Sequence, residues 1–427
     1  MAFLLKDSPE CAKSELDLFS LPPTQTVIES GNWIEFHPLA HVADGGPLEF
    51  NVSGSGENYL DCSQTLLFVT AKIVKTDGKP IAAESKVGPV NLFLHSMFSQ
   101  VDMSLNERVV SSSNNTYPYR AMIEKLLNHG FDAKTSQLSP ELFFKDTAGR
   151  MNIFDTEDKE PNEGFNKRAQ LCGLSASVDM IGRLHLDTFH QERLLLNMVD
   201  LKIKLIRSKP EFCLMGSEEF KVSLEHASLH VRKVRVSPSV VLGHAKALEK
   251  STAKYPINRV ICKAYFIPAG NMSYVQHNIF TGQMPNRIVI ACVDNDAFNG
   301  NYKKSPFEFK YYDINFIGVY VDGQPLPFNP LRPNFAKNNF IRAYQNLFRT
   351  AGDKGLYLSR SDFALGYALF CFELSPDLCD GSHLNLVRHS NLRLEIKFAT
   401  ALLQTISLIV YAEFENLIEI NKSRNIL

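Results

Sequence analysis

The sequence predicts an all-β protein made of two β-sandwiches in tandem, with a few short helices in the loops. Three observations predict it: short strand-like segments along most of the chain, turn dipeptides between them, and a length of 427 residues. A single hydrophobic core usually stops growing at about 250–300 residues, so this length favours two domains. A composition of 44% hydrophobic and 21% charged residues is typical of globular proteins with large cores.

The strand-like segments are identified by their periodicity. Residues 201–207 alternate apolar and basic side chains, which is the pattern of a strand with one buried face. The same alternation, or a run of β-branched and other apolar residues, predicts six further strands at 65–74, 220–225, 228–236, 287–293, 392–398 and 406–414. Turn dipeptides begin at Asp77, Asn299, Asp322 and Asp380. Three segments have helical patterns, at 119–128, 238–254 and 339–349.

The first and the last of these helices head an internal repeat. Each follows a strand that ends in Val-Asp, at 101–102 and at 321–322, and each contains an Arg-Ala pair that begins at Arg120 or Arg342. Downstream, an apolar strand and an alternating strand recur in both copies, at 184–187 and 201–205, then at 370–373 and 392–396. The repeated order indicates that one sandwich topology is used twice.

The repeat suggests the domain organisation. We expect an extended N-terminal arm over residues 1–29, a first sandwich over 30–213, a second sandwich over 217–420 and a short tail over 421–427. The arm lacks periodicity and contains Pro22-Pro23. We therefore expect it to be extended and poorly packed in an isolated subunit.

The charge composition excludes some classes of partner. The 45 basic and 46 acidic residues nearly cancel, so the chain lacks the basic excess of proteins that wrap nucleic acid. Near neutrality, chains approach one another without long-range repulsion, which suits self-association. His230, Arg232, Lys233 and Arg235 form the polar face of one predicted strand. We interpret this face as solvated, with contact to a packaged genome or an acidic neighbour as the alternative.

Two acidic stretches resemble cation sites. Residues 154–164 lie in an insertion that lengthens the first copy over 131–182, and nothing places these acids in a fixed shell, so a solvated loop is predicted. Residues 294–300 resemble half of a calcium loop. Their glycine comes one place too late, however, and no glutamate follows at the required distance. We therefore predict a turn that ends a strand.

The sequence contains no motif of a known catalytic or metal centre. The eight cysteines form no C-x-x-C pair, which disfavours structural zinc, and the twelve histidines form no H-x-H pair, which disfavours a cupin-type metal cluster. Phosphate-loop, nucleophile-elbow and H-E-x-x-H motifs are missing. Asp313, Asp322 and His277 could supply acid and base groups, but nothing in the sequence places them together. We therefore predict no catalytic, cofactor-binding or metal-binding residue, and no enzyme activity.

The N-terminus and the longest apolar run address cellular location. The N-terminal residues lack the apolar region of a secretory signal, and the run at 406–412 is too short to span a bilayer. We expect a soluble, non-secreted protein with free buried thiols, made in a reducing compartment.

Several short segments carry a resemblance that covers about residues 15–420. They are ELDLFSLPPTQT at 15–26, ESGNW at 29–33, VGPV at 87–90, LHSMF at 94–98, DNDAFNG at 294–300 and YAEFE at 411–415. In number and order they resemble the capsid proteins of Polinton (Maverick) elements and the related adintoviruses, which are large self-synthesising DNA elements.

The resemblance implies a double jelly-roll major capsid protein. It implies a homotrimer with a pseudo-sixfold outline that tiles an icosahedral shell around a DNA genome, together with a penton or other minor capsid protein as partner. A minor, penton-type role is an alternative, although a single jelly roll would be more usual there. Another is a carbohydrate-binding sandwich, in which aromatic residues stack on sugars: Trp33, Tyr117, Tyr119, Tyr302 and Phe307. A metal-dependent enzyme on the same fold is the third choice.

Overall fold

Antiparallel strands build the fold, in two sandwiches of two four-stranded sheets each. The computed structural model describes residues 11, 13–42, 45–54, 56–351, 355–378 and 383–427. The predicted turn at Asp380, the thiol of Cys379 and residues 1–10 of the predicted arm lie outside the described residues. The predicted all-β class, with short helices in the loops, is confirmed.

The first sandwich contains both sheets of the N-terminal half. Its strands are β1 (Ile28–Phe36), β2 (Leu48–Val52), β3 (Asn58–Lys75), β4 (Val87–Pro89), β5 (Phe98–Leu105), β6 (Arg108–Ser111), β7 (Val178–Gly182), β8 (Leu201–Arg207), β9 (Leu214–Gly216) and β10 (Phe220–Val236). One sheet has the order β1-β10-β3-β7 and the other the order β2-β8-β5-β6, while β4 and β9 form a short separate ladder.

The second sandwich repeats this arrangement. Its strands are β11 (Ala253–Ile267), β12 (Ser273–Gln276), β13 (Arg287–Asp294), β14 (Ile314–Val321), β15 (Gln324–Pro325), β16 (Phe370–Glu373), β17 (Leu392–Phe398) and β18 (Ile406–Ile420). The sheet orders are β11-β18-β13-β16 and β12-β17-β14-β15. If β4 and β9 are set aside, the strands of the two sandwiches correspond one to one in chain order. One topology is therefore used twice, as the internal repeat indicates.

Helices lie in the connections between strands. They are α1 (Phe93–Ser96), α2 (Tyr117–Asn128), α3 (Phe131–Thr135), α4 (Glu163–Leu171), α5 (Pro210–Cys213), α6 (Pro238–Ala247), α7 (Asn295–Asn299), α8 (Ile341–Ala351) and α9 (Arg360–Ala364), with short 3-10 helices at Ser14–Leu16, Ser139–Glu141, Gly173–Ser175 and Asp187–His190. Helix α2 connects β6 to β7, and α8 connects β15 to β16, which are equivalent places. Within the described ranges, no helix is both long enough and apolar enough to cross a membrane.

Periodicity in the sequence explains the sheets locally. In β8, Leu201, Ile203 and Leu205 are buried, while Lys202 and Lys204 lie on the other face. At the β14–β15 hairpin, Asp322 and Gly323 both have positive φ angles, of 48° and 84°. An Asp-Gly pair tolerates these angles, and the resulting turn matches the twist of the two strands. The turn predicted at this dipeptide is therefore present.

The sheet pairing contradicts the predicted boundary between residues 213 and 217. Strand β10 is an inner strand of the first sandwich, in which Leu229 faces Leu67 of β3 on one side and Phe36 of β1 on the other. The residues assigned to the start of the second sandwich therefore complete the first one. We place the division at α6, which follows β10 directly and is shorter than the predicted helix because β11 begins at Ala253.

One match of the repeat is also displaced. The strand that corresponds to β16 is β7, which lies just before the predicted segment 184–187. The end of that segment begins the 3-10 helix Asp187–His190 instead. An apolar pair such as Leu184 and Leu186 is buried here without being part of a strand, so alternation alone did not identify the paired segment.

The two sandwiches share one hydrophobic core, to which buried residues of both contribute. Tyr119 of α2, for example, stacks on Phe298 of the second sandwich with ring centroids 5.5 Å apart. The C-terminal tail also joins the halves. Arg424 donates from Nε to the backbone oxygen of Asn197 at 2.9 Å, and Asn106 donates to the backbone oxygen of Arg424 at 2.7 Å. The predicted tail therefore packs against the first sandwich.

Candidate functional site

Helix α2 carries a row of buried charged residues into the junction between the sandwiches. Arg120 and Glu124 are one turn apart on this helix, and Arg120 Nε donates to Glu124 Oε1 at 2.9 Å. The Arg120 guanidinium also lies 2.8 Å from Asp187 Oδ1. Asp187 in turn accepts from the backbone N–H of Val260 in β11, at 3.2 Å. The ion pairs of the first sandwich thus extend to the backbone of the second.

A second ion pair lies beside the first. Lys125 Nζ is 2.8 Å from Glu141 Oε1, and His95 Nε2 is 3.3 Å from the other carboxylate oxygen. Burial raises the pKa of Glu141, but His95 and Lys125 more than offset this, and the resulting pKa is about 2. Tyr117 completes the group, because its hydroxyl lies 2.8 Å from His95 Nδ1. Glu141 is therefore ionised at neutral pH.

Two histidines face the second carboxylate oxygen of Glu124, Oε2. Oε2 contacts Nδ1 of His185 and lies 3.6 Å from Nε2 of His190. Burial lowers the pKa of His185 to about 3 and lowers that of His190 from its ordinary value. Burial raises the pKa of Glu124, but Arg120 and His185 hold it well below its ordinary range. At neutral pH the group therefore contains one carboxylate and two neutral imidazoles.

Two cavities adjoin this group. One, of about 410 Å³, is lined by Glu124 and His190 together with Tyr411 and Glu413 of β18. The other, of about 490 Å³, is lined by Glu124, His185 and His190. The His190 side chain is 41% exposed, whereas the Glu124 and His185 side chains are 6% and 4% exposed. Solvent therefore reaches the group from the His190 side.

The sequence predicts no metal-ligating residue, yet Glu124, His185 and His190 come together here. Metal-binding motifs that a sequence reveals place their ligands close together on one strand or helix. In this group the ligands come from α2 and from a segment that follows β7. No local spacing marks such a set. The interval between His185 and His190 is the only trace of it in the sequence.

A second group lies on the surface of the first sandwich. Glu35, His37 and His226 present potential ligand atoms within 4.8 Å of one another. Glu35 Oε1 and His226 Nε2 are 3.5 Å apart. Glu35 and His37 are exposed, and His226 is half-buried.

The predicted polar candidates have local roles. Asp313 accepts from the Thr400 hydroxyl at 3.3 Å, and Asp322 accepts from the backbone N–H of Asn391 at 3.0 Å. His277 is exposed. Each of the two acids thus ties its own turn to a neighbouring segment, and no described contact joins His277 to either of them.

The two acidic stretches contain ion pairs. Lys304 Nζ lies 2.7 Å from Asp294 and 2.9 Å from Asp296, so one ammonium group already occupies the space between these carboxylates. In the stretch 154–164, Asp155 pairs with Lys86 and Glu160 with Arg150. The residues of this stretch are mostly exposed. The stretch 154–164 is therefore a surface feature, as predicted. In the second stretch, residues 295–299 form the short helix α7 directly after β13, where a turn was predicted.

The basic face of β10 is paired with acids and backbone oxygens. Arg232 lies 2.7 Å from Asp61, and Arg235 lies 3.2 Å from Glu29. Lys233 donates to the backbone oxygen of Ser53 at 3.1 Å. These contacts cross the sheet to the neighbouring strands or adjoining loops.

The predicted sugar-stacking aromatics are mostly packed inside. Tyr117, Tyr119 and Phe307 are buried. Tyr302 is half-buried and donates from its hydroxyl to the backbone oxygen of Phe220 at 2.7 Å. Trp33 is 57% exposed. Of the five aromatic residues considered, only Trp33 presents a largely open ring.

Comparison with known proteins extends over the whole chain. No protein-family model matches it. Uncharacterized protein F54H12.2 of Caenorhabditis elegans is 26% identical over 429 residues, which cover 95% of this chain and 98% of the nematode protein. A chain in the cryo-EM structure of the Sputnik virophage superposes with a TM-score of 0.66 at 12% identity, covering 99% of this chain and 92% of that one.

Two further solved structures are similar. VP54 of PBCV-1 superposes with a TM-score of 0.60 at 10% identity, covering 96% of this chain and 98% of VP54. The two sandwiches and their shared strand order define a double jelly-roll protein. This fold is that of the mavirus major capsid protein, which superposes with a TM-score of 0.54 at 12% identity and covers 100% of this chain and 96% of its own.

Proposed function

We propose that this chain is a structural major capsid protein whose subunits tile an icosahedral shell around a DNA genome. The observation that carries the proposal is the likeness to viral major capsid proteins over both sandwiches and nearly the whole of each chain. A jelly roll by itself supports many functions. Two jelly rolls of equal topology in one chain, both matched by the capsid proteins, are more specific evidence for this function than a single jelly roll would be.

The proposed working unit is a homotrimer. Each chain contributes two sandwiches of the same topology, so three chains around an axis present six similar units to a lattice. The net charge of −1 puts little repulsion between copies. Large apolar residues in the described part of the arm, including Leu18, Phe19 and Leu21, are 74%, 97% and 91% exposed. We propose that these side chains are covered by neighbouring subunits.

The proposed lineage is that of Polinton (Maverick) elements and adintoviruses. Three observations support it: the ordered sequence segments, the likeness to the mavirus major capsid protein, and a relative of matching length in a nematode. A capsid gene that resides in an animal genome would account for that relative. A penton or other minor capsid protein would complete the shell.

The proposed role is structural and requires no turnover. Of the predicted acid and base candidates, Asp313 and Asp322 are engaged in separate turns, and the ion pairs of α2 hold the two sandwiches together. Such contacts suit a subunit whose task is to keep its shape in a lattice.

Sedimentation velocity of the purified full chain over a range of concentrations tests the proposal. We expect a species with the mass of three chains. Limited proteolysis should cut within residues 13–27 of free subunits and spare this segment after assembly. A monomer that persists at high concentration would contradict the trimer, and equal cleavage of the arm before and after assembly would contradict its proposed contacts.

A further inference from the structure

The group formed by Glu124, His185 and His190 has the composition and spacing of a metal-ligand set. Glu124 Oε2 and one ring nitrogen of each histidine all lie within 4.8 Å of one another. One carboxylate oxygen and two imidazole nitrogens leave one position open on a four-coordinate ion. Nitrogen ligands of this kind suit zinc and its neighbours in the transition series more than magnesium or calcium.

The charge around the group favours a bound cation. The Arg120 guanidinium is shared between two buried carboxylates, those of Glu124 and Asp187, so it offsets their two negative charges only in part. Uncompensated negative charge in a buried site is costly, and a divalent ion beside Glu124 would offset it.

The group is also accessible from solvent. Glu124 and His190 line both cavities and His185 lines one of them, and the His190 side chain is 41% exposed. An ion could enter without rearrangement of α2, and water could fill the open position.

We propose that Glu124, His185 and His190 bind one divalent transition-metal ion of the zinc type. The ion would join α2 to the segment that follows β7. Glu124 Oε1 lies 3.4 Å from the Tyr411 hydroxyl of β18, so the ion would also stiffen the junction between the sandwiches. The inference concerns a binding site in the folded subunit and does not depend on the proposed capsid function.

The surface group of Glu35, His37 and His226 serves as the internal comparison. It offers the same residue types at similar spacing, but Glu35 and His37 are exposed. Exposed ligands lose side-chain freedom on binding and are not held in place by surrounding packing. We therefore assign the ion to the buried group.

The test uses the purified full chain after treatment with a chelator. Zn²⁺ is titrated by calorimetry, and Co²⁺ is titrated by visible absorption, whose intensity reports a low coordination number. We expect one ion per chain and a higher melting temperature in the presence of Zn²⁺. His190→Gln should weaken binding at least tenfold and abolish the rise in melting temperature. His190→Cys should retain binding because a thiolate is also a zinc ligand.

His226→Gln is the matched control, since it removes one ligand of the surface group. It should leave stoichiometry and affinity unchanged. Circular dichroism verifies that each variant is folded, which we expect because His190 is partly exposed. A native chain that binds no ion would overturn the assignment. So would equal affinity in His190→Gln, or loss of binding in His226→Gln alone.

Discussion

Helices α2 and α8 occupy equivalent places in the two sandwiches but are packed by different physical means. Around α2, residues Arg120, Glu124 and Lys125 are buried and paired with one another or with neighbouring charged side chains. Around α8, the neighbouring side chains are aromatic. Phe340 stacks on Phe363 with centroids 5.8 Å apart, and Tyr344 meets the same Phe363 ring edge-on at 5.9 Å.

Equal topology in the two sandwiches does not bring equal packing. The same connection between equivalent strands is filled by ion pairs in one copy and by rings in the other. Buried ion pairs need every partner in place, because a charge left alone in the interior is strongly unfavourable. Apolar clusters tolerate exchanges that preserve volume. The two helices should therefore respond very differently to substitution.

The largest effect is expected at Arg120. Arg120→Met would leave Glu124 and Asp187 buried without their shared cation. The expected cost is about 3–5 kcal/mol of unfolding free energy, the usual range for breaking a buried pair. Urea denaturation followed by fluorescence or circular dichroism measures it.

The equivalent residue in the second copy provides the control. Arg342 is exposed and lies over the ring of Phe328 at 5.9 Å. Arg342→Met should cost about 0.5–1 kcal/mol, as for an exposed cation–π contact. Equal losses in the two variants would show that the repeat carries the same energetics in both copies, contrary to this comparison.

A smaller effect is expected in the aromatic cluster. Phe363 is fully buried and has aromatic neighbours on several sides. Phe363→Leu preserves most of the volume and should cost less than about 1.5 kcal/mol, as volume-conserving exchanges in cores do. Thermal melts of the two buried-site variants, Phe363→Leu and Arg120→Met, give the ranking. If the leucine variant were the less stable one, the contrast between polar and apolar packing would be wrong.

Much of the fold followed from periodicity. The segments predicted at 201–207 and 392–398 are strands with the same limits. Arg120 and Arg342, which the internal repeat pairs, lie in helices that connect equivalent strands. These features depend on residues close together in the chain. The pairing of β10 with β3 depends on residues far apart in the chain. The periodicity of one segment does not indicate which distant strand will pair with it. For this reason the predicted boundary lies before β10, whereas the strand pairing puts the division after it.

Elsewhere, local irregularities change which residues of a strand are buried, so alternation in the sequence does not predict burial there. Strict alternation from the buried Ile314 would place Phe316 in the core. It is only half-buried and faces Lys397 and Arg332, because the register of β14 against β17 shifts between Ile314 and Phe316. A bulge of this kind inverts which residues face the core. The histidine group at α2 was missed for a related reason. Its members come from separate segments, which only the tertiary fold brings together.

Unfolding free energy should also depend on the protonation of Lys134 in α3, which donates from Nζ to the backbone oxygens of Leu126 in the first sandwich and Leu356 in the second. Burial lowers the pKa of Lys134 from 10.5 to about 7. Between these values the unfolded chain binds more protons at this residue than the folded chain does. The contribution of Lys134 to unfolding free energy should therefore rise as pH increases through this window.

Lys134→Met should remove this dependence. The unfolding free energy of the native chain should increase relative to that of the variant as pH rises from 7 to 10. Denaturant unfolding at several pH values measures the difference. Lys303→Met, at an exposed lysine, is the control and should run parallel to the native chain. A pH-independent difference at Lys134 would mean that its ammonium group stays charged at the junction.

We propose that two sandwiches of equal topology make this chain a shell-forming subunit. Electron microscopy of the expressed full chain tests this proposal most directly. We expect trimers with a pseudo-sixfold outline and, under crowding or altered salt, closed icosahedral shells. Single subunits under all of these conditions, without trimers or shells, would contradict it.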